Sequence, residues 1–216
     1  MKKIISIIAV SLICVLAFSA CSKKDEDKKT NDDGTTAIAT VEDGKLTVCS
    51  DIPYPPFEYL EGEEAVGVDP DLMKAIAQDN DLTAEFIDTD FDSIFAQLGS
   101  GSCDVIASSV TITDERKEAN DFSDPYYTIN QSLLVNNEDK DTLTDLDKFD
   151  GKVIGVQSET TGATYAKENS DANGYTVQEF TGADEIFAAL RAGTIDASLQ
   201  DYPVNYGEEE ANGKAT

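Results

Sequence analysis

Asp92-Ser93-Ile94-Phe95-Ala96-Gln97-Leu98 is followed, 92 positions later, by Asp184-Glu185-Ile186-Phe187-Ala188-Ala189-Leu190. A glycine then stands at the same offset in both copies, Gly101 and Gly193, and after it an aspartate, Asp104 and Asp196. Each copy reads as an amphipathic helix, a glycine stop and a short strand. Two copies of one αβ unit predict two similar lobes. In open α/β sheets ligands bind beyond the carboxyl ends of the strands. Those ends carry Ser108-Ser109 in the first unit and Gln200-Asp201 in the second, so two facing sets of strand ends would enclose a cleft.

The flanking sequence extends the alternation. Before and through the first copy come a strand at Leu46 to Cys49, a helix at Pro70 to Gln78, a strand at Ala84 to Ile87, a helix at Ser93 to Leu98 and a strand at Val105 to Ala107. The second series is a strand at Val153 to Val156, a helix at Gly162 to Lys167, a strand at Tyr175 to Phe180, a helix at Ala183 to Arg191 and a strand at Ile195 to Leu199. Such alternation indicates mostly parallel sheets flanked by helices, an α/β fold. Tyr127 to Val135 reads as the crossing between lobes, giving lobe 1 as residues 45–130 and lobe 2 with its crossover strand as residues 131–216. A helix is expected from Tyr202 through Glu210.

Composition limits the chemistry. Of 216 residues 43 are acidic and 16 basic, with no His, for a net charge of −27. That balance excludes nucleic-acid binding, which depends on clustered Lys and Arg. The absence of His removes the commonest general base and metal ligand, and no cofactor is expected. Met1-Lys2-Lys3 and the apolar run Ile4 to Phe18, shorter than the roughly 20 residues of a bilayer span, read as a signal peptide over residues 1–20. Residues 21–44 are rich in charge and poor in apolar side chains, and read as a solvated tether. Cys14 goes with the leader, which leaves Cys49 and Cys103 in the folded part. In a parallel pair Cys49 lies near the end of its strand and Cys103 before the start of its own. An offset of about four residues at ~3.3 Å each exceeds the Cα separation of a disulfide, so the two are expected to stay unbridged.

Several segments carry a family resemblance. Phe18-Ser19-Ala20-Cys21 resembles a lipoprotein lipobox, which implies lipidation of Cys21; an ordinary secretory signal or uncleaved anchor is the alternative. Asp51-Ile52-Pro53-Tyr54-Pro55-Pro56-Phe57-Glu58, Val66-Gly67-Val68-Asp69-Pro70-Asp71-Leu72, Asp104 through Arg116 and Phe122-Ser123-Asp124-Pro125-Tyr126-Tyr127 follow in order, with Gln157 to Gly162 in the second lobe. This set resembles the extracellular solute-binding proteins of polar amino-acid ABC transporters. The resemblance implies a two-lobe periplasmic-binding-protein-like (type II) clamshell. It implies a non-enzymatic, monomeric receptor held to the membrane by a lipid anchor alone, which carries a small-molecule amino acid to the permease subunits of an importer. A dehydratase on the same fold and a ligand-sensing module are the alternatives.

By the same resemblance Arg116 forks the ligand carboxylate, which its planar guanidinium suits. Thr111 and Thr161 add hydroxyls to the carboxylate, Ser109 and Asp201 take the ammonium, and Ser108 is a neighbour. Tyr54 and Phe91 sandwich the ligand side chain, with Asp51 close by. The offset repeat places Asp201 opposite Ser109 without help from the resemblance. With Arg116 committed to the α-carboxylate and no second cation among these positions, aspartate and glutamate are expected to bind poorly; neutral polar and cationic side chains remain open. Glu159 stands where the resembling loop carries Gly. The resemblance also implies a return strand and covering helices after Asp201, so the chain is expected to be a C-terminally shortened form, unstable and weak in binding.

Overall fold

The computed structural model describes residues 38–213. The signal peptide, Cys21 and most of the tether expected from the sequence lie outside the described residues. The first sheet is built from β1 (Lys45–Ser50), β4 (Thr83–Asp88) and β5 (Val105–Ile106), all parallel, in the order β4-β1-β5. Helix α1 (Val68–Asp79) packs on one face through Met73 and Ala77 against Leu46 and Val48. Helix α2 (Ile94–Ser100) covers the other, where Ile94 meets Cys49 and Cys103. Helices on both faces explain why β1 is buried continuously from Leu46 to Ser50, without alternation.

A short hairpin of β2 (Tyr59–Glu61) and β3 (Glu64–Val66) precedes α1. It was not expected from the sequence, because its residues are acid-rich and mostly exposed. Its turn glycine, Gly62, has φ 68. Gly67, before α1, is a different case: at φ 121 an added Cβ would stand 2.3 Å from the Phe57 carbonyl oxygen. Only glycine lets the helix start pack on the opening loop.

After α3 (Asp114–Lys117) the chain crosses to a second sheet, ordered β6-β9-β7-β8. Its strands are β6 (Gln131–Val135), β7 (Val153–Gln157), β8 (Thr176–Phe180) and β9 (Ala197–Asp201), and only β6 runs antiparallel to its neighbour. Helix α4 (Thr161–Asn173) covers one face through Ala163 and Ala166. Helix α5 (Ala183–Ala192) covers the other through Ile186, Phe187 and Leu190, and Val204 of α6 (Tyr202–Asn212) joins that cluster. Tyr54 and Phe57 of the opening loop also pack into it. β9 begins two residues later than the sequence pattern suggests, since Ile195 is buried ahead of the ladder.

The repeat has a structural cause. Gly101 and Gly193 end α2 and α5 in the left-handed conformation, at φ 74 and 71, where glycine carries no Cβ penalty. Asp104 Oδ2 then accepts the Thr47 N–H at 2.7 Å, and Asp196 Oδ2 accepts the Val153 N–H at 2.8 Å. In each lobe the aspartate ties the incoming strand to the start of the central one. Val41 N–H also donates to Asp104, at 2.6 Å, so the chain just ahead of β1 rests on the first lobe.

The cysteine expectation is overturned. Cys49 and Cys103 form a disulfide, with Cα atoms 5.8 Å apart. The register Val48↔Val105 and Cys49↔Ile106 has the sense expected from the sequence, but a straight-strand extrapolation fails at Cys103. The chain bends out of α2 there, and Asp104 N–H donates to the Thr47 carbonyl at 2.9 Å. Cys103 therefore approaches β1 from the side, under Ile94, instead of continuing back along it.

Candidate functional site

The carboxyl ends of β1, β5, β7 and β9 face one another across a narrow cavity open to solvent. All nine side chains singled out from the sequence line it: Asp51, Tyr54, Phe91, Ser108, Ser109, Thr111, Arg116, Thr161 and Asp201. Six more do so without having been singled out: Glu58, Gln131, Gln157, Thr160, Gly162 and Gln200. Gln200 was legible as a strand end, and Gln157, Thr160 and Gly162 as members of the second-lobe loop from Gln157 to Gly162. Glu58 closes the opening loop, where Pro-Pro-Phe-Glu gives no sign of burial, yet it is fully buried. Among the described residues no group of three or more potential ligands could hold a metal.

Arg116 is placed by its local sequence. Thr113 is the N-cap of α3, its Oγ1 accepting the Arg116 N–H at 3.1 Å. The guanidinium lies over Phe91 and Phe95, 5.5 and 5.3 Å from the ring centres, contacts that hold a cation's plane. Nη1 donates to the Thr111 carbonyl and Nη2 to the Glu159 carbonyl, each at 2.9 Å. Both partners are neutral carbonyls, and Arg116 makes no ion pair among the described residues. Burial works against its charge, so the site calls for an anion.

Glu159 reaches Arg116 through its backbone, at φ 60. A left-handed conformation costs a side-chain-bearing residue about 1–2 kcal/mol, and Gly returns part of that as unfolded-state entropy. Glu159→Gly is therefore expected to raise the midpoint of thermal unfolding slightly, by up to about 1 kcal/mol in stability. A fall on differential scanning calorimetry would contradict it.

The opposite wall is acidic. Gln157 Nε2 donates to Asp51 Oδ2 at 2.6 Å and to the Thr181 carbonyl at 2.8 Å. Burial pushes the Asp51 carboxyl up to about 6; Gln157 opposes this, while Asp88, Asp90 and Asp184 add to it. Asp201 accepts from Tyr54 Oη at 2.9 Å and from Gln131 Nε2. Burial raises the Asp201 carboxyl too, against those two donors. Gly162 makes room for Gln131, whose Oε1 would lie 2.8 Å from a Cβ there. Ser108 acts on the loop instead, donating to Glu58 Oε1 at 2.8 Å and accepting the Asp51 N–H at 3.0 Å. That splints the opening loop to the end of β5. Ser109 Oγ and Gln200 Nε2 are buried with no hydrogen-bond partner. Two unpaired polar atoms in one cavity point to a ligand with complementary groups.

The family of bacterial extracellular solute-binding proteins, family 3, matches residues 46–171, more than half of the sequence. The chain belongs to this family. This solute-binding protein is 30% identical over 201 residues to a probable histidine-binding protein of Campylobacter jejuni, covering 93% of this chain and 74% of that one. It is 33% identical over 168 residues to the arginine-binding extracellular protein ArtP of Bacillus subtilis, covering 78% and 65%. Among solved structures, an ancestral arginine-binding protein bound to arginine superposes with a TM-score of 0.75 at 36% identity, covering 79% of this chain and 75% of that one. The fold is thus the two-lobe, type II form of periplasmic binding proteins. In this solute-binding protein the lobes meet through Arg116–Glu159, Asp51–Gln157, Tyr54–Asp201 and a 3.4 Å approach of Thr111 and Thr161 hydroxyls. Each pair takes one partner from either side of the cavity.

Proposed function

We propose that this protein is an extracytoplasmic receptor that closes on an L-amino acid with a cationic side chain and passes it to the permease of an ABC importer. One observation carries the choice of ligand: beside the fully buried Glu58, which Ser108 already engages, the cavity sets a single cation, Arg116, against two further acids, Asp51 and Asp201. An α-carboxylate on Arg116 and Thr111, an α-ammonium on Asp201 and the unpaired Ser109 Oγ, and a side-chain cation toward Asp51 would balance it. Tyr54 and Phe91 would flank the aliphatic stem. The names of the histidine- and arginine-binding relatives support the reading. Closure is a hinge motion in which the ligand shifts the population toward the state where both lobes touch it. The protein works as a monomer, without catalysis, tethered through a lipidated Cys21; the leader sequence supports the tether.

A thermal-shift screen of the amino acids tests this. Arginine, lysine or histidine should raise the unfolding midpoint most and glutamate least; glutamate stabilising best would overturn it. The pH dependence has a defined sign. With the Asp51 carboxyl at about 6 in the free protein, a cationic side chain favours the ionised form and displaces a proton below that pH. Arginine affinity should be level above about pH 7 and fall as the pH drops through 6, by at most about tenfold per pH unit. Glutamine, without the charge, should show a much flatter profile.

A further inference from the structure

Two acids under the cavity have no part in that reading. Glu58 and Asp69 are both fully buried. Asp69 Oδ2 accepts the Ser109 N–H at 2.6 Å, and Asp69 Oδ1 accepts from Tyr126 Oη at 2.8 Å. Glu58 Oε1 accepts from Ser108 at 2.8 Å. No N–H or O–H of the described residues reaches Glu58 Oε2. The two acids are neighbours: they hold the adjacent residues Ser108 and Ser109, and the Asp69 N–H donates to the carbonyl of Phe57, beside Glu58, at 3.0 Å, which sets the Glu58 carboxyl against that of Asp69. Two carboxylates are acceptors only and cannot bond without a proton between them.

We propose that Glu58 and Asp69 share one proton, carried by Glu58, and that this buried acid pair is the positioning device that holds Ser108 and Ser109 at the cleft. The placement of the proton follows from the donors. Asp69 already faces an N–H and an O–H, so it must present lone pairs on both oxygens. Glu58 faces a single donor and has an oxygen left over. Burial first, and Asp69 second, push the Glu58 carboxyl well above its ordinary range. The groups that face it electrostatically, Asp69 on α1, Asp51 after β1 and Asp201 at the end of β9, are all acidic and act in the same direction. On the other side of the pair, burial raises the Asp69 carboxyl too, but the Ser109 N–H and the Tyr126 hydroxyl oppose it by bonding to the ionised form.

The consequence for the site lies in Ser109. It is held at φ 48, a conformation a serine adopts only when its surroundings impose it, and the Asp69 carboxylate is bonded to its N–H. That conformation accompanies the buried, unpaired Oγ. Glu58 does the same for Ser108, whose proton is committed to Oε1 so that its lone pair can hold the Asp51 N–H. The role rests on the reading of the cavity as an amino-acid site. The existence of the shared proton does not.

The experiment has two arms. Isotope-edited infrared spectra of the ligand-free protein at neutral pH should contain a protonated-carboxyl band that disappears in Glu58→Gln and persists in Asp51→Asn. Its absence from the wild type would overturn the pair, whatever the protein binds. In the second arm, calorimetry with L-arginine compares variants. Glu58→Ala and Asp69→Asn should each lose about tenfold or more in affinity, because each leaves buried groups of the network unpaired or opposed. Glu58→Gln, an amide donating where the acid donated, should recover most of what Glu58→Ala loses. It should also remove the fall in affinity at alkaline pH, where the wild-type pair gives up its proton. Equal losses for Glu58→Gln and Asp69→Asn would refute a proton placed on Glu58. A wild type that binds no amino acid would refute the functional reading while leaving the infrared arm to decide the pair.

Discussion

Arg116→Ala is expected to lose nearly all amino-acid binding. The ligand carboxylate would be desolvated against neutral carbonyls and two aromatic rings, with no cation left on its side of the cavity. Truncating one partner of a buried charge pair costs about 2–5 kcal/mol, roughly 30- to 5,000-fold in dissociation constant. Arg116→Lys should fall between, since an ammonium keeps the charge but neither the fork nor the stacking on Phe91 and Phe95. Because Arg116 also joins the Thr111 and Glu159 carbonyls across the cleft, the Ala variant should open more readily when no ligand is present. Calorimetry that returns wild-type affinity for Arg116→Ala would remove the residue from the site.

The second large effect concerns the Cys49–Cys103 disulfide, which closes a sequence separation of 54 residues. Constraining a loop of that size in the unfolded chain is worth about 4 kcal/mol. For a domain of this length each kcal/mol moves the unfolding midpoint by roughly 2–4 °C, so a Cys49→Ala/Cys103→Ala double variant should melt roughly 8–16 °C lower. Both sulfurs are buried, so reductant should act slowly on the native protein and quickly in denaturant. The bond also joins β1, which leads into Asp51, to the turn that leads into β5 and Ser108. Its loss should therefore weaken binding as well as folding. Non-reduced mass spectrometry without a 49–103 link, or an unchanged midpoint in the double variant, would contradict this. A structural disulfide fits a protein that folds outside the reducing cytosol.

Much of the site could be read from the chain because the repeat fixes geometry. Once Asp104 and Asp196 are matched, Ser109 and Asp201 must both follow strands at the same depth, and the structure puts both on the cavity. Thr113 could be read as a cap from local sequence alone, and Arg116 follows from it by one turn of helix. The reading failed where a residue's surroundings come from far along the chain. Glu58 looks like a loop acid, yet Ser108, 50 residues away, and Asp69 enclose it. The β2–β3 hairpin was hidden by its acidic composition, since its strands bury little. The disulfide was missed because extended-strand spacing was applied to Cys103, where the chain is turning out of α2. Gln131 gave no signal of its own; its approach to Asp201 depends on the absent side chain of Gly162.

Calorimetric titration of the protein with L-arginine and L-citrulline at pH 7.5 tests the proposed ligand class most directly. The two differ at the end of the side chain by a charge and little else. A carboxylate at Asp51 with no neutralising cation should bind arginine at least about tenfold more tightly, and Asp51→Asn should bring the two ligands close together. Equal binding of both by the wild type, or tighter binding of citrulline, would contradict a site built for a cationic side chain.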